Sequence, residues 1–252
     1  MNKKFKLHAA AAGVALALGL ASGQAAAVPV ALELSLLIDV SGSVDATEYN
    51  LQMNGYVQAF QSASVQAAIA GRAGGIAVNL IQWSGAGEQV QSVGWTHITN
   101  GAEANAFAAA VNAVRVAGNP FGGLTAPGSA INFATPLFNN NFEGDRQVID
   151  VSGDGEQNDG ATTATARNAA LAAGVDAING LAIGGASLVT WYNNNIKGGP
   201  TGFVLQADSF ADFASTVEQK IGREIAQVPE PGTMLLLGAS LLGFGFARRR
   251  KV

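Results

Sequence analysis

Three oxygen-bearing side chains stand at alternating positions in Asp39-Val40-Ser41-Gly42-Ser43, directly after the apolar run Leu34 to Ile38. A carboxylate followed by two hydroxyls in one short loop offers only hard donors, which suit Mg²⁺, Mn²⁺ or Ca²⁺ rather than soft metals. The same five residues also make a good turn and helix N-cap, so this stretch leaves both readings open. Two further stretches bring the same chemistry. Thr125 lies in the glycine-rich Gly122-Gly123-Leu124-Thr125-Ala126-Pro127-Gly128, and Asp154 follows Val148-Ile149-Asp150-Val151-Ser152-Gly153. The run Asp154, Glu156, Asn158, Asp159 invites an EF-hand reading. It fails because the glycine falls one place late, at Gly160, and Thr165 stands where a bidentate Glu is needed.

For these loops to converge, the elements behind them must end at one edge. Leu34 to Asp39 is an apolar-rich run of strand length ending in a carboxylate, as in a parallel strand buried on both faces. Asp45-Ala46-Thr47-Glu48 has capping-box spacing, and Tyr49, Met53, Tyr56, Val57 and Phe60 recur at helical spacing after it. Ile76 to Trp83 predicts a second strand, and Glu88 to Ile98, after a short glycine turn, an antiparallel edge strand. Helices are expected around Phe107, Val111 and Val114, around Ile131, Ala134 and Phe138, and over 161–173. Gln147 to Ser152 is another strand, ending in the acidic loop Gly153-Asp154-Gly155. Asp176 to Ile183 and Gly202 to Gln206 are the last two, and Ser209 and Asp212 cap a closing helix with the stripe Phe210, Phe213, Val217, Ile221. Alternating strands and helices predict a doubly wound, mostly parallel six-stranded α/β sheet with one antiparallel edge strand. Ligands bind such sheets beyond the carboxyl ends of the strands, where both acidic loops fall. Asp150 interrupts an apolar strand, so it is expected to face an edge or to pair with a neighbour such as Arg146.

The chain has 252 residues and no cysteine, which removes disulfides, thiolate metal sites and thiol nucleophiles together. Its net charge of −4 is unevenly spread. Lys3, Lys4 and Lys6 lie near the start, and Arg248, Arg249, Arg250 and Lys251 at the end. Between these clusters seven basic residues face eighteen acidic ones, a balance of −11. That argues against nucleic acid as a partner.

The two ends carry export features. A basic start, the apolar stretch Ala9 to Leu20 and the small-residue exit Ala25-Ala26-Ala27 have the layout of a secretory signal peptide over 1–27. The C-terminal 228–252 opens on Val228-Pro229-Glu230-Pro231-Gly232, continues with the apolar Thr233 to Ala247, and closes on the arginine cluster. Those fifteen residues fall short of the roughly 20 that span a bilayer. Pro-Glu-Pro, a short hydrophobic helix and an Arg cluster resemble the PEP-CTERM sorting signal of Gram-negative bacteria. The resemblance implies an exosortase as a sorting partner, transient inner-membrane anchoring through 233–247, and delivery to the cell envelope or exterior.

The body, 28–227, resembles a von Willebrand factor type A-like domain. Asp39-Val40-Ser41-Gly42-Ser43, then Thr125 in a glycine-rich loop, then Asp154-Gly155 at a later strand end match the three parts of that family's metal-ion-dependent adhesion site. The wording Val-Ile-Asp-Val-Ser-Gly-Asp-Gly is similar to a bacterial branch of unassigned function. The resemblance implies that Asp39, Ser41, Ser43, Thr125 and Asp154 hold a divalent cation, Mg²⁺ first with Mn²⁺ or Ca²⁺ as alternatives. It further implies an open coordination position for the carboxylate of an acidic protein or extracellular polymer.

Catalysis finds little support in the sequence. The body's one histidine, His97, falls on the expected edge strand, and no Gly-x-Ser-x-Gly elbow, Walker loop or dinucleotide fingerprint is present. The readings kept are a binding protein and, as alternatives, a structural matrix component with a purely structural metal and a metal-dependent hydrolase. Trp83, Trp95, Trp191 and Tyr192 could stack on sugars, although strands and helices usually bury such side chains.

Overall fold

A computed structural model describes residues 27–227. The expected leader, apart from Ala27, and the apolar tail lie outside the described residues. The elements follow in the order β1 (Val28–Val30), β2 (Leu32–Asp39), α1 (Ala46–Gln61), α2 (Ala63–Ala70), β3 (Ile76–Trp83), β4 (Gln89–Ile98), α3 (Gly101–Ala117) and α4 (Pro127–Ala134). A 3-10 turn over Thr135–Phe138 leads to β5 (Phe142–Gly144), β6 (Gln147–Gly153), α5 (Thr163–Ala172), β7 (Ala177–Ile183), α6 (Ala186–Asn195), β8 (Val204–Ala207) and α7 (Phe213–Ala226).

Six strands form one sheet in the order β4-β3-β2-β6-β7-β8, parallel throughout except for the antiparallel edge pair β3 and β4. The expected doubly wound sheet with one antiparallel edge strand is therefore the fold. A small parallel pair, β1 with β5, was not legible in the sequence. β2 is central and every one of its eight residues is buried, which explains why its apolar residues fall on both faces without alternation, with Glu33, Ser35 and Asp39 buried among them.

Helices cover both faces. One core cluster joins Leu34, Leu36 and Ile38 to Met53, Tyr56 and Phe60 of α1, Phe107 of α3 and Phe213 of α7. The other joins Leu37, Ile81, Ile149 and Val151 to Ile131 of α4, Ala166 of α5 and Tyr192 of α6. Phe60 is fully buried edge-on against Phe107, with ring centroids 4.6 Å apart. Truncating such a residue to alanine costs about 3–5 kcal/mol.

The capping box at α1 is complete. Asp45 accepts from the amides of Thr47 and Glu48, and Glu48 accepts from the amide of Asp45 at 2.9 Å. The helix continuing past Ala134 tightens into the 3-10 turn, which contains Pro136. Asp212 occupies the N-cap of α7 but caps it with no side-chain bond; its carboxylate accepts from Ser209 Oγ at 2.8 Å instead. Helices α2 and α6 were not foreseen. Among the described residues no helix is long and apolar enough to cross a membrane.

Candidate metal centre

From β2 the chain crosses to β3 on one side, and β6 flanks β2 on the other. The carboxyl ends of β2 and β6 therefore border a switch point, the position at which such sheets take ligands. Asp39 is the last residue of β2, and the β6 strand ends at Gly153, directly before Asp154. Thr125 reaches the same place from the loop between α3 and α4.

Backbone bonds hold each loop. Gln52 of α1 donates to the Asp39 carbonyl at 2.8 Å, and Asn119 to the Val40 carbonyl at 3.0 Å. The Gly42 amide donates to the Gly123 carbonyl at 2.9 Å, tying the first loop to the second. A β-carbon on Gly42 would stand 2.9 Å from the Gly122 carbonyl oxygen, so the close approach requires glycine there. Asn158 clamps Thr125 from the third loop: its side chain accepts from the Thr125 amide at 2.8 Å and its own amide donates to the Thr125 carbonyl at 3.0 Å.

The five side chains singled out by type and spacing come together in one chain of contacts. The Ser41 amide donates to Asp39 Oδ1 at 2.8 Å, and Ser41 Oγ lies 3.2 Å from Ser43 Oγ. Ser43 Oγ donates to Asp154 Oδ1 at 2.8 Å, and Thr125 Oγ1 donates to Ser41 Oγ at 3.4 Å. Asp39, Ser41 and Thr125 are buried, Asp154 is half-buried and Ser43 is exposed, so the cluster opens on one side only.

Burial pushes the Asp39 carboxyl up to about 7, against the opposing hydrogen bonds from Ser41 and with added repulsion from Asp154. The Asp154 carboxyl is also raised by burial, opposed by the Ser43 hydrogen bond. The second oxygen of Asp39, Oδ2, is buried without any hydrogen-bond partner. Close to it is the Tyr192 hydroxyl, also unpartnered, and the two are separated by the space that a side chain on Gly153 would fill. A β-carbon there would stand 2.6 Å from Asp39 Oδ2 and 2.8 Å from the tyrosine oxygen.

An unpartnered buried carboxylate oxygen beside three hydroxyls and a second carboxylate fits a hard divalent cation, which would supply the charge that burial withholds. Among the described residues no three His, Asp or Glu side chains cluster as a metal site, so a cation held here draws on hydroxyl oxygens. The sequence reading missed Gly153, Asn158 and Tyr192. Gly153 was visible as a glycine at the strand tip, whereas nothing local marks Tyr192, which comes from α6.

The other sequence expectations divide. Asp150 neither faces an edge nor pairs with Arg146. It is fully buried in the middle of β6 against Lys220 of α7, because β6 lies between β2 and β7 and has no free edge. Arg146 bonds instead to Thr201, to Gln227 and to the Glu224 carbonyl. His97 does lie on the edge strand β4, and its ring Nε2 is 2.7 Å from the Gly74 carbonyl oxygen. Trp83 and Tyr192 are fully buried, and Trp95 donates to the Leu137 carbonyl at 2.8 Å; only Trp191 among the four aromatics is left partly exposed with no polar contact.

Residues 29–229 match the model of a family described as protein of unknown function (DUF1194), and residues 227–251 match the PEP-CTERM protein-sorting motif. No curated protein matches the chain. Among solved structures, proximal thread matrix protein 1 from the mussel byssus aligns at 16% identity and a TM-score of 0.56, over 77% of this chain and 47% of that one. The same protein is known with a zinc-occupied MIDAS motif, at 15% identity and a TM-score of 0.55. The pilus adhesin SpaC from Lactobacillus rhamnosus GG aligns at 15% identity and a TM-score of 0.56, over 78% of this chain and 30% of that one. The conserved hypothetical protein BatB from Bacteroides thetaiotaomicron aligns at 16% identity and a TM-score of 0.53, over 78% of this chain and 98% of that one. The chain thus spans about half or less of the mussel and Lactobacillus proteins and nearly all of BatB. At these identities the likeness establishes a shared von Willebrand factor type A-like fold.

Proposed function

The chain belongs to the DUF1194 family, and from the chemistry of its site we propose that it is an exported binding protein that holds a divalent cation and uses it to grip an acidic partner. The observation that carries this reading is the buried Asp39 carboxylate at the strand tip, with Oδ1 bonded to the Ser41 amide and Oδ2 unpartnered, in the same loop cluster as the linked hydroxyls of Ser41, Ser43 and Thr125. Asp39, Ser41, Ser43, Thr125 and Asp154 are the ligand set. Two carboxylates balance a divalent charge, three hydroxyls complete most of an octahedron, and the open side beside Ser43 leaves a position for a carboxylate from an acidic protein or an extracellular polymer. Mg²⁺ suits the set best, with Mn²⁺ and Ca²⁺ as competitors.

The C-terminal sorting motif supports export with envelope association, with 1–27 as the leader, 28–227 as the binding domain and 228–252 as the segment handed to an exosortase. The zinc-occupied MIDAS of the mussel protein supports a cation at the equivalent place, and the pilus adhesin supports an extracellular binding role. A second reading follows from the mussel protein's being a matrix protein: the cation staples the three loops of a structural component and grips nothing. Neither reading assigns catalysis.

Calorimetric titration of Mg²⁺, Mn²⁺ and Ca²⁺ into the purified chain, beside Asp39→Ala and Asp154→Ala, tests the first reading. Saturable binding lost in both folded variants supports it, and absence of binding in the folded parent overturns it. Loss of fold in the variants, without loss of any partner interaction beforehand, favours the structural reading.

A further inference from the structure

We propose that Lys220 and Asp150 are joined by an intramolecular amide bond, formed inside the folded core with Glu224 as the proton carrier. Asp150 lies in the middle of β6, while Lys220 and Glu224 are one turn apart on α7, and all three side chains are fully buried. Lys220 Nζ touches Asp150 Oδ1 and lies 3.1 Å from Glu224 Oε1. Asn179 Nδ2 of β7 donates to that same Glu224 oxygen at 2.8 Å, and its side-chain oxygen Oδ1 accepts from the Phe203 amide at 3.1 Å, which fixes the glutamate in place. The amine, the carboxyl carbon it would attack and a group able to carry protons are thus held together, buried from bulk solvent.

A buried ion pair is a poor account of this arrangement. Such a pair offsets its desolvation only where the remaining lone pairs are hydrogen-bonded. Apart from the contact with Lys220, neither oxygen of Asp150 has a hydrogen-bond partner, and Glu224 Oε2 has none either. Leu36 of β2 and Asn179 of β7 pair with Asp150 in the sheet, and the fully buried Tyr56 lies near both carboxyls. Burial raises the pKa of both carboxyls, with the Lys220 charge opposing it, so neither carboxylate is at ease as a bare anion here. An amide replaces an ammonium and a carboxyl with one neutral group, which the apolar core accommodates at far smaller cost.

The step balances without a co-reactant. The Lys220 ammonium passes a proton to the Glu224 carboxylate, and the free amine attacks Cγ of the Asp150 carboxylic acid, forming the C–N bond. Glu224 then relays the remaining surplus proton from nitrogen to the departing hydroxyl. The C–O bond breaks, one water leaves, and Glu224 ends as the neutral acid beside the new N–H. No oxidant takes part, and in a chain without cysteine the bond provides the covalent tie between a central strand and the closing helix that a disulfide cannot.

Tryptic mapping of the purified full chain by mass spectrometry tests the bond. The expected result is one branched species joining 147–167 to 198–223, lighter than the two peptides together by one water, with no cleavage after Lys220. Free 147–167 together with cleavage after Lys220 overturns the proposal. In Glu224→Gln, which keeps the side-chain volume but cannot carry the proton, the two peptides are expected unlinked although Lys220 and Asp150 are intact; a branched species in that variant overturns the role given to Glu224.

Discussion

Exchanging Asp39 for asparagine separates the charge of the candidate centre from its shape. The folded, metal-free protein holds the Asp39 proton to about pH 7, against 3.8 for an ordinary aspartate. A difference of about three pH units corresponds to about 4 kcal/mol, an upper bound for a group with no solvent exposure. The sign follows from proton binding. The folded chain binds the proton more tightly than the unfolded chain, so this stability is present in full below about pH 4 and is lost as pH rises through about 7. A divalent cation competes with that proton. Its apparent affinity is therefore expected to fall about tenfold per pH unit below about 7, and its binding to release close to one proton at about pH 6. Saturation at about 100 times the dissociation constant would return about 2.7 kcal/mol to the protein above pH 7. Asp39→Asn keeps the volume and removes the charge, so it should bind no cation and should lose the decline in metal-free stability contributed by this carboxyl. The assay is calorimetric titration of Mg²⁺ in buffers of differing ionisation enthalpy, with thermal melts in chelator and in Mg²⁺ between about pH 5 and 8. An affinity independent of pH over that range, or binding without proton release, would refute the reasoning. Full cation binding by Asp39→Asn would refute the ligand assignment itself.

Gly153→Ala places a β-carbon against Asp39 Oδ2 and the Tyr192 hydroxyl, so it should abolish cation binding and lower stability by about 1–3 kcal/mol in denaturant melts. Thr125→Val keeps the shape of the side chain and removes one hydroxyl; a cation affinity weaker by about tenfold with an unchanged melting midpoint is the expected result. Asn158→Ala frees the Thr125 loop from its clamp and should cost about 1 kcal/mol, measured by urea unfolding, together with a weaker affinity that higher Mg²⁺ overcomes. Asp45→Ala removes the cap of α1 and should lower stability by about 1 kcal/mol while the stoichiometry of cation binding stays the same.

Much of this molecule was legible in the sequence because the signals were local. The apolar-rich run Leu34 to Ile38, the capping box at Asp45 and Glu48, and the alternation of strand and helix lengths each depend on neighbours a few residues apart, and together they specify a doubly wound sheet. The oxygen set was legible for the same reason: Asp39, Ser41 and Ser43 share one loop, while Thr125 and Asp154 each follow a recognisable turn signal. What the sequence could not supply is distance between loops and the environment of each buried group. That Asp154 lies within hydrogen-bond reach of Ser43 follows from β6 lying beside β2, a matter of sheet order. The unpartnered state of Asp39 Oδ2 and the raised carboxyl follow from complete burial at the tip of a central strand, with Tyr192 of α6 packed on the far side of Gly153. Asp150 makes the same point in reverse. Read locally it was an awkward charge in need of an edge or of Arg146, and only the packing of α7 against β6 and β7 brought it Lys220 and Glu224. Periodicity within an element determines which of its faces is buried, but the fold as a whole determines what that face meets.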